Sequence, residues 1–188
     1  MFGVDGCPSV YRGGPPRGGR GYHPAMPHTH VVLVHPEIHW NTGNAGRTCL
    51  ATGATLHLVE PLGFSLDERQ VRRAGLDYWE HVDLRVWPDW DAFARVLPDL
   101  GEPYLFSTKT SRLLWDASID VSRDTVLIFG SETRGLPSEI LERHTDRLVA
   151  LPIASPRVRS LNLSTTVGIA VYEVLRQRYR HASAPVHP

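Results

Sequence analysis

The sequence predicts an α/β protein: a single domain in which a mostly parallel sheet carries helices on both faces. Short runs of apolar and β-branched residues alternate along the chain with segments of helical periodicity, which is typical of strand–helix–strand units. Several of the strand-like runs end in polar or glycine-rich loops, and open parallel sheets hold ligands at the carboxyl ends of their strands. The 188 residues are enough for one domain with a substantial core.

The N-terminal segment has a different composition from the rest of the chain. Residues 1–28 contain seven of the 16 glycines and five of the 15 prolines. Such a composition cannot bury enough apolar area to offset the entropy of ordering, so we expect a disordered tail. Alternatively, Met26 is the true start and the tail is not translated. Residues 29–181 then form the folded domain, and 182–188 a short flexible tail.

The first half of the domain alternates strands and helices in order. THVVLVH, from Thr29, is predicted as a strand, and NAGRTCLATG as a helix that ends at Gly53 with a glycine C-cap. ATLHLVE is the next strand. DERQVRRAGL is predicted as a short helix capped by Asp67, HVDLRVW as a strand, and DWDAFARVL as an amphipathic helix.

The second half continues the alternation. PYLFST and TVLIFG are predicted as strands, and PSEIL as a helix with Pro137 at a favoured early position. RLVALPI is the last predicted strand. The longest predicted helix, NLSTTVGIAVYEVLRQRY, follows Leu161. Its broad apolar surface indicates core packing or half of a dimer interface. That surface contains Val167, Ile169, Ala170, Val171, Val174 and Leu175.

Composition argues against several classes of protein. The formal net charge is zero, so no global basic field indicates nucleic acid. Lys109 is the sole lysine among 20 basic residues. This reflects either codon usage or a preference for bidentate phosphate contacts.

The sequence shows no zinc-type cysteine pattern, no nucleophile elbow and no membrane-spanning apolar run. His35 and His39 are four residues apart, but Pro36 disfavours the helix that a metal site would need. We therefore expect a cytoplasmic protein without a metal.

Two glycine-containing segments are the best candidates for a ligand site. Thr42–Asn44 is expected to form a turn at the end of the first strand, with Arg47 projecting from about the first turn of the following helix. TVLIFGSETRGLP, from Thr125, combines a strand, a glycine turn and a helix start. A simple turn with a surface arginine would explain the first segment alone. Two such segments at strand ends in one small sheet favour a shared site.

A basic and aromatic segment lies between these candidates. Arg69, Arg72 and Arg73 have helical spacing and precede Tyr78 and Trp79. Arginine beside aromatic rings suits phosphate contact and base stacking. A solvated helix face would have the same pattern, so both interpretations stay open.

Three segments together resemble the motifs of the SPOUT superfamily of RNA methyltransferases: HPEIHWNTGNAGRTCLATGATLHLVEPLGF, LIFGSETRGLP and LPIASPRVRSLNLSTTVGIAVYEVLRQ. RRAGLDYWEH matches as well. The resemblance covers roughly residues 30–180. Within the superfamily the chain is similar to the small tRNA wobble-nucleotide 2'-O-methyltransferases of the cytidine/uridine type, which have no added RNA-binding domain.

The resemblance implies a fold and partners that composition and periodicity do not. It implies that the C-terminal part of the sheet is threaded into a trefoil knot, although knots are very rare in general. It also implies that S-adenosylmethionine binds in that knot, that tRNA is the substrate, and that the protein is a homodimer through its C-terminal helix.

Individual site residues follow from the same resemblance. Arg47 matches the catalytic arginine. The predicted cofactor-binding residues, which act mostly through backbone groups, are Phe106, Gly130, Leu151, Ser160, Leu161 and Asn162. Glu132 is expected to brace its loop, Ser164 lies in the third motif, and Gly130 is expected to let backbone approach the cofactor. Because guanidinium stays protonated, we expect Arg47 to orient the nucleotide and stabilise the developing oxyanion.

The sequence departs from the family pattern in two places. His39–Trp40 stands where a proline pair is expected, and PIASPRVRS is one residue longer than in close relatives. Trp40 would either stack on a base or fill the space of a proline. The alternatives to wobble methylation are 2'-O-methylation of ribosomal RNA or another tRNA position, an RNA-binding protein without catalysis, and a flavodoxin-like ligand module.

Overall fold

The computed structural model describes residues 27–66 and 78–182. The predicted tail up to residue 26, the segment with Asp67, Arg69, Arg72 and Arg73, and residues 183–188 lie outside these ranges. The strands are β1 (Thr29–Val34), β2 (Thr55–Val59), β3 (Leu84–Trp87), β4 (Glu102–Phe106), β5 (Thr125–Phe129) and β6 (Leu148–Val149). The α-helices are α1 (His39–Thr52), α2 (Trp90–Leu100), α3 (Ser138–Arg143) and α4 (Leu163–Ala182).

All six strands lie in one sheet of order β3-β2-β1-β5-β4-β6, and every neighbouring pair is parallel. The predicted α/β class is therefore confirmed. β5, β4 and β6 are adjacent, so the loops that follow these three strands leave the sheet side by side. β1 lies next to β5 and brings the start of α1 to the same edge. The trefoil knot stays a prediction from the resemblance.

The core consists of two apolar layers, one on each face of the sheet. Alternate strand residues point to opposite faces, so each strand contributes to both layers. One layer packs against α1 and α4 and includes Val31, Leu33, Leu127, Cys49 and Val171. The other packs against α2 and α3 and includes Val32, Ile128, Phe93 and Ile140. Helices therefore cover both faces, as predicted.

Helix α1 begins earlier than the sequence predicted. The expected turn at Thr42–Asn44 is already helical, because α1 begins at His39. Ile38 at the N-cap has extended backbone and makes no side-chain capping bond. The N–H groups of Glu37 and Ile38, just before the helix, donate instead to a residue distant in sequence, described below. The predicted C-cap is confirmed, since Gly53 has a φ of 72° and donates its N–H to Leu50 O.

Strand β6 is much shorter than the predicted RLVALPI. It pairs with β4 at Leu148 and Val149 only. At Ala150 the chain no longer pairs with β4. Instead, Ala150 bonds to the segment that follows β4 in sequence: its carbonyl accepts from Leu114 N at 2.8 Å and its N–H donates to Arg112 O at 2.9 Å. The residues that follow are thereby released from the sheet into a loop that returns to α4.

A buried arginine fixes the far end of α4. Arg178 is only 4% exposed. Its guanidinium donates to Thr29 Oγ1 at 2.7 Å, His28 O at 3.0 Å and Thr125 Oγ1 at 3.0 Å. The helix is thus bound to the amino ends of β1 and β5, while its own N-terminus lies at the opposite edge, where the carboxyl ends of the strands meet.

Candidate functional site

Glu132 connects the loop after β5 to the start of α1. Its carboxylate accepts hydrogen bonds from Glu37 N at 2.8 Å, Ile38 N at 3.3 Å and Asn41 Nδ2 at 2.8 Å. A carboxylate at a helix N-terminus is favoured both by the free N–H groups and by the helix dipole. The expectation that Glu132 braces its loop agrees with this geometry.

The connection between these two segments is reciprocal. Glu37 directs its own carboxylate to the β5 loop, where it accepts from Thr133 N at 3.2 Å and Thr133 Oγ1 at 2.7 Å. The sequence patterns assigned no function to Glu37. Its position could have indicated a function, because Glu37 is a charged residue in HPEIH, between a buried strand and a helix. No neighbouring residue identifies Thr133 as its partner.

Asn41 extends the connection to the third motif. Its side-chain oxygen accepts from Asn162 Nδ2 at 2.8 Å. Asn162 in turn caps α4, with its oxygen accepting from Ser164 N at 2.9 Å, Ser164 Oγ at 2.8 Å and Thr165 N at 3.3 Å. A continuous chain of hydrogen bonds thus runs from Glu132 through Asn41 and Asn162 to α4, and the Ser164 hydroxyl is used within it.

Gly130 is required by the loop itself. A Cβ at this position would lie 2.0 Å from both Gly135 C and Leu136 N. Ser131 and Gly135 exchange backbone hydrogen bonds of 3.2 and 2.9 Å, which folds the loop back onto the end of β5. The expected reason for this glycine was approach of a cofactor. The contact that the structure shows is with the backbone of its own loop.

The remaining predicted cofactor residues lie around the ends of β4 and β6. Phe106 ends β4, is 8% exposed, and stacks on Phe129 with ring centroids 4.4 Å apart. Leu151 follows β6 and is half-buried, whereas Ser160 and Leu161 are exposed in the loop before α4. Among the described residues, one backbone–backbone hydrogen bond lies within residues 151–161, from Val158 N to Ser155 O. Arg157 N also donates to Ser155 Oγ at 3.3 Å, so the loop has little backbone pairing of its own within the described part of the chain.

Arg47 lies in the third turn of α1, rather than in the first turn as predicted. The side chain is exposed, and its guanidinium carbon lies 4.4 Å from the centre of the Tyr78 ring, within the range of a cation–π contact. The Tyr78 hydroxyl donates to Gly43 O at 2.9 Å. Tyr78 thus supports Arg47, a function that the sequence patterns did not assign to it.

The neighbouring Trp79 also packs on α1. Its ring occupies the space beside Gly46, where a Cβ would lie 2.6 Å from the ring. Tyr78 and Trp79 are both half-buried against the core. Both rings thus pack against the helix that carries Arg47, an arrangement that neither open interpretation, base stacking or a solvated helix face, had specified.

The sequence matches the model of the SpoU rRNA Methylase family over residues 28–172, well over half of the chain. The chain belongs to the SpoU methylase family. Among its relatives, a tRNA (cytidine(34)-2'-O)-methyltransferase of Burkholderia cenocepacia is 53% identical over 149 residues, covering 78% of this chain and 94% of the relative.

Solved structures of SpoU-type methyltransferases share the fold. One, from a study of the 2-OH methylation of C/U34 on tRNA, has a TM-score of 0.74 and 44% identity, covering 81% of this chain and 97% of its own. Another, an AdoMet-bound rRNA methyltransferase of Sinorhizobium meliloti, has a TM-score of 0.70 and 28% identity, covering 83% of this chain and 59% of its own. The resemblance to SPOUT methyltransferases is confirmed.

Neither a metal-binding cluster nor a membrane-spanning helix occurs among the described residues of this family member. Within residues 27–66 and 78–182, no group of three or more His, Cys, Asp and Glu side chains is arranged to hold a metal ion. In the same part of the chain, no helix combines the length and apolar character needed to cross a membrane.

Proposed function

We propose that the protein transfers a methyl group from S-adenosylmethionine to the ribose 2'-hydroxyl of the wobble nucleotide of a tRNA, a cytidine or a modified uridine. The observation that carries this proposal is the hydrogen-bonded chain from Glu132 through Asn41 to Asn162. It brings three segments, each resembling a methyltransferase motif, to one edge of the sheet. The activity named for a relative that matches over 94% of its length supports the same substrate.

The loops around β4, β5 and β6 fit the methyl donor. The predicted binding residues are Phe106, Gly130, Leu151, Ser160, Leu161 and Asn162. The exposed loop of residues 151–161 offers backbone donors and acceptors, and the stacked Phe106 and Phe129 give the edge an apolar floor. When bound, S-adenosylmethionine supplies a methyl group on a sulfonium, which is an excellent leaving group.

The residues of this chain then have mainly to position the acceptor. Arg47 binds the target nucleotide through its phosphate and stabilises the oxyanion that develops on the ribose oxygen. A guanidinium group offers donors and no acceptor, so Arg47 is not assigned as the base. Tyr78 supports the guanidinium from one side, because the ring lies beneath it and the hydroxyl is bound to Gly43 O.

The proposal includes a homodimer formed through α4. Tyr172 and Tyr179 lie seven residues apart, hence on one face of this helix, and are 58% and 46% exposed. Large aromatic side chains are enriched in protein interfaces. A neutral protein would then bind tRNA through local arginines doubled across the dimer, and a tRNA substrate agrees with the predicted cytoplasmic location.

Methyl transfer tests the proposal directly. Purified protein, labelled S-adenosylmethionine and tRNA without wobble modification are incubated, and the labelled nucleotide is mapped. Label on the wobble ribose is the expected result. Label at another tRNA position or on ribosomal RNA would contradict the proposed substrate while keeping the reaction type. Absence of both S-adenosylmethionine binding and methyl transfer would contradict the enzyme itself.

A further inference from the structure

An exposed aromatic platform lies at the start of α1, beside the candidate site. Trp40 is 58% exposed, although the ring of His39 lies 4.1 Å away, centre to centre, at a tilt of 38°. The ring of Phe64 lies 6.4 Å from His39. Since His39 covers only part of the indole, the rest of the ring is open to solvent. We call His39 and Trp40 the aromatic platform.

The platform is fixed relative to the candidate site. Asn41, the residue that follows Trp40, is held by both Glu132 and Asn162 at 2.8 Å. Glu37, which precedes the platform in the chain, and Glu132 both accept N–H donors from the opposing loop or helix end. The backbone that carries the platform is therefore held at the edge of the sheet where the carboxyl ends of the strands meet.

Trp40 and Arg47 lie on one face of α1. They are seven residues apart, or about two helical turns, and both side chains are exposed. The face thus presents an open indole at one end and a guanidinium supported by Tyr78 at the other. A flat ring beside a cation is the combination that binds unpaired nucleotides, with the ring stacking on a base and the cation contacting a phosphate.

We infer that Trp40 stacks on an unpaired base of the RNA substrate, either that of the methylated nucleotide or that of an immediate neighbour. This inference rests on the proposed function and adds a positioning residue to it. Sequence-specific RNA recognition commonly uses bases splayed out of loops and stacked on aromatic side chains. Charge complementarity with Arg47 on the same face favours RNA over a second copy of the chain as the occupant.

The first experiment measures stacking without requiring catalysis. An anticodon stem-loop carries 2-aminopurine at the target nucleotide or at one of its two neighbours, and an end label reports binding by anisotropy. At one of the three positions we expect fluorescence to fall on binding of the wild-type protein and to remain high with Trp40→Ala. Equal quenching by both proteins, or none by either, would overturn the inference.

The second experiment measures methyl transfer. We expect Trp40→Ala to raise KM by about five- to tenfold, near the lower end of the range for one stacked base, with little change in kcat. Trp40→Phe should restore most of the loss, because a ring is retained. On RNA that is abasic at the quenched position, wild type and Trp40→Ala should have similar KM values. An equal loss on abasic RNA would contradict base stacking.

Two controls separate the alternatives. Trp115→Ala removes another exposed tryptophan, 48% exposed and on a different segment, and should leave KM unchanged. Sedimentation velocity of Trp40→Ala should match wild type; a shift to monomer would show that a second copy covers the platform, and would overturn the inference. If wild type transfers no methyl group to tRNA, the proposed function fails, while the fluorescence result still decides whether Trp40 stacks.

Discussion

Asn162 donates a side-chain N–H to the side-chain oxygen of Asn41 at 2.8 Å, across 121 residues of sequence. Each amide also serves a second partner, since Asn41 donates to Glu132 and Asn162 caps α4. Because Asn41 is 6% exposed, water cannot readily replace a lost bond. This pair therefore helps to fix the position of the loop after β5 relative to the loop before α4.

Asn41→Ala should weaken the attachment of the start of α1 to both the loop after β5 and the loop before α4. It removes a donor from Glu132 and an acceptor from Asn162, and we expect a loss of about 1–3 kcal/mol in the free energy of unfolding. Affinity for S-adenosylmethionine should fall as well, because the proposed binding loops lose their common anchor. Denaturant unfolding and calorimetric titration measure the two effects.

A double-mutant cycle makes this prediction specific. Asn41→Ala and Asn162→Ala should be less than additive in unfolding free energy, since either variant breaks the same bond. Asn44→Ala, at an exposed position of the same helix, controls for helix propensity in the stability measurement. Full additivity of the pair would contradict the connection between the loops.

Gly130→Ala should disrupt the loop after β5. The added methyl group would lie 2.0 Å from the backbone of Gly135 and Leu136, and backbone cannot turn aside as a flexible side chain can. We expect the free energy of unfolding to fall by several kcal/mol, or the protein not to fold, as in severe overpacking.

Thermal unfolding of Gly130→Ala, compared with that of Gly168→Ala, measures this effect. Gly168 lies in α4, where a Cβ would meet no described residue within 4 Å beyond the backbone of its own helix. This control should therefore be neutral or stabilised by up to about 1 kcal/mol.

Arg47→Lys tests the bidentate, orienting role of the arginine. Lysine keeps the charge but loses the planar fork, so we expect kcat to fall at least about tenfold, with affinity for S-adenosylmethionine unchanged. Single-turnover methyl transfer measures the rate. Tyr78→Phe, which keeps the ring under Arg47 but loses the bond to Gly43 O, should cost only a few-fold. A near-normal rate for Arg47→Lys would contradict the assigned function.

Stability should decline in mild acid because of a buried histidine pair. His30 Nδ1 and His57 Nε2 are 3.0 Å apart, and Trp87 Nε1 donates to His57 Nδ1 at 3.0 Å. Burial, with the charges of His28 and Arg85 adding to it, lowers the pKa of His30 to about 4 and that of His57 well below its ordinary value. Asp83 and Asp124 oppose the shift in His30.

The sign of the pH dependence follows from these lowered values. The unfolded chain takes up protons near pH 6.5, before the folded chain does, so the stabilisation is present above pH 6.5 and is lost as the pH falls toward 4. From His30 alone we expect a loss of roughly 2 kcal/mol by pH 5. Denaturant unfolding at pH 7.5 and 5 measures it, and His30→Gln should reduce the pH dependence to the part contributed by His57 and other groups. Equal stability of wild type at both pH values would contradict it.

Tyr172→Glu should weaken the proposed dimer. Two-fold symmetry would place the new charge on both sides of the interface, and we expect the dimer dissociation constant to rise by roughly 100-fold or more. Sedimentation velocity over a concentration series measures it. Arg95→Glu, a charge reversal on the exposed face of α2, should leave the association state unchanged. An unaltered dimer in Tyr172→Glu would move the interface away from this face.

Sequence patterns predicted the strands and their order of appearance well, because fully buried parallel strands such as β1 and β5 are continuous apolar runs. They failed at the start of α1. Local capping rules look for a side chain within a few residues, whereas the N–H of the N-cap residue Ile38 donates to Glu132, 94 residues away. They also extended β6 too far. The residues around Leu151 are as apolar as those of a strand, but pairing with β4 ends before Ala150.

By itself, the sequence determined the α/β class, the strand-end loops and the resemblance to SPOUT methyltransferases, because hydrophobic periodicity and motif residues are properties of neighbouring positions. Only the tertiary structure shows which residues of those motifs are in contact with one another. Glu132 and Asn162 meet at Asn41, Gly130 packs on its own loop, and Tyr78 supports Arg47. Each of these depends on contacts between distant segments, which the parallel sheet creates by aligning the carboxyl ends of β1, β5, β4 and β6 at one edge.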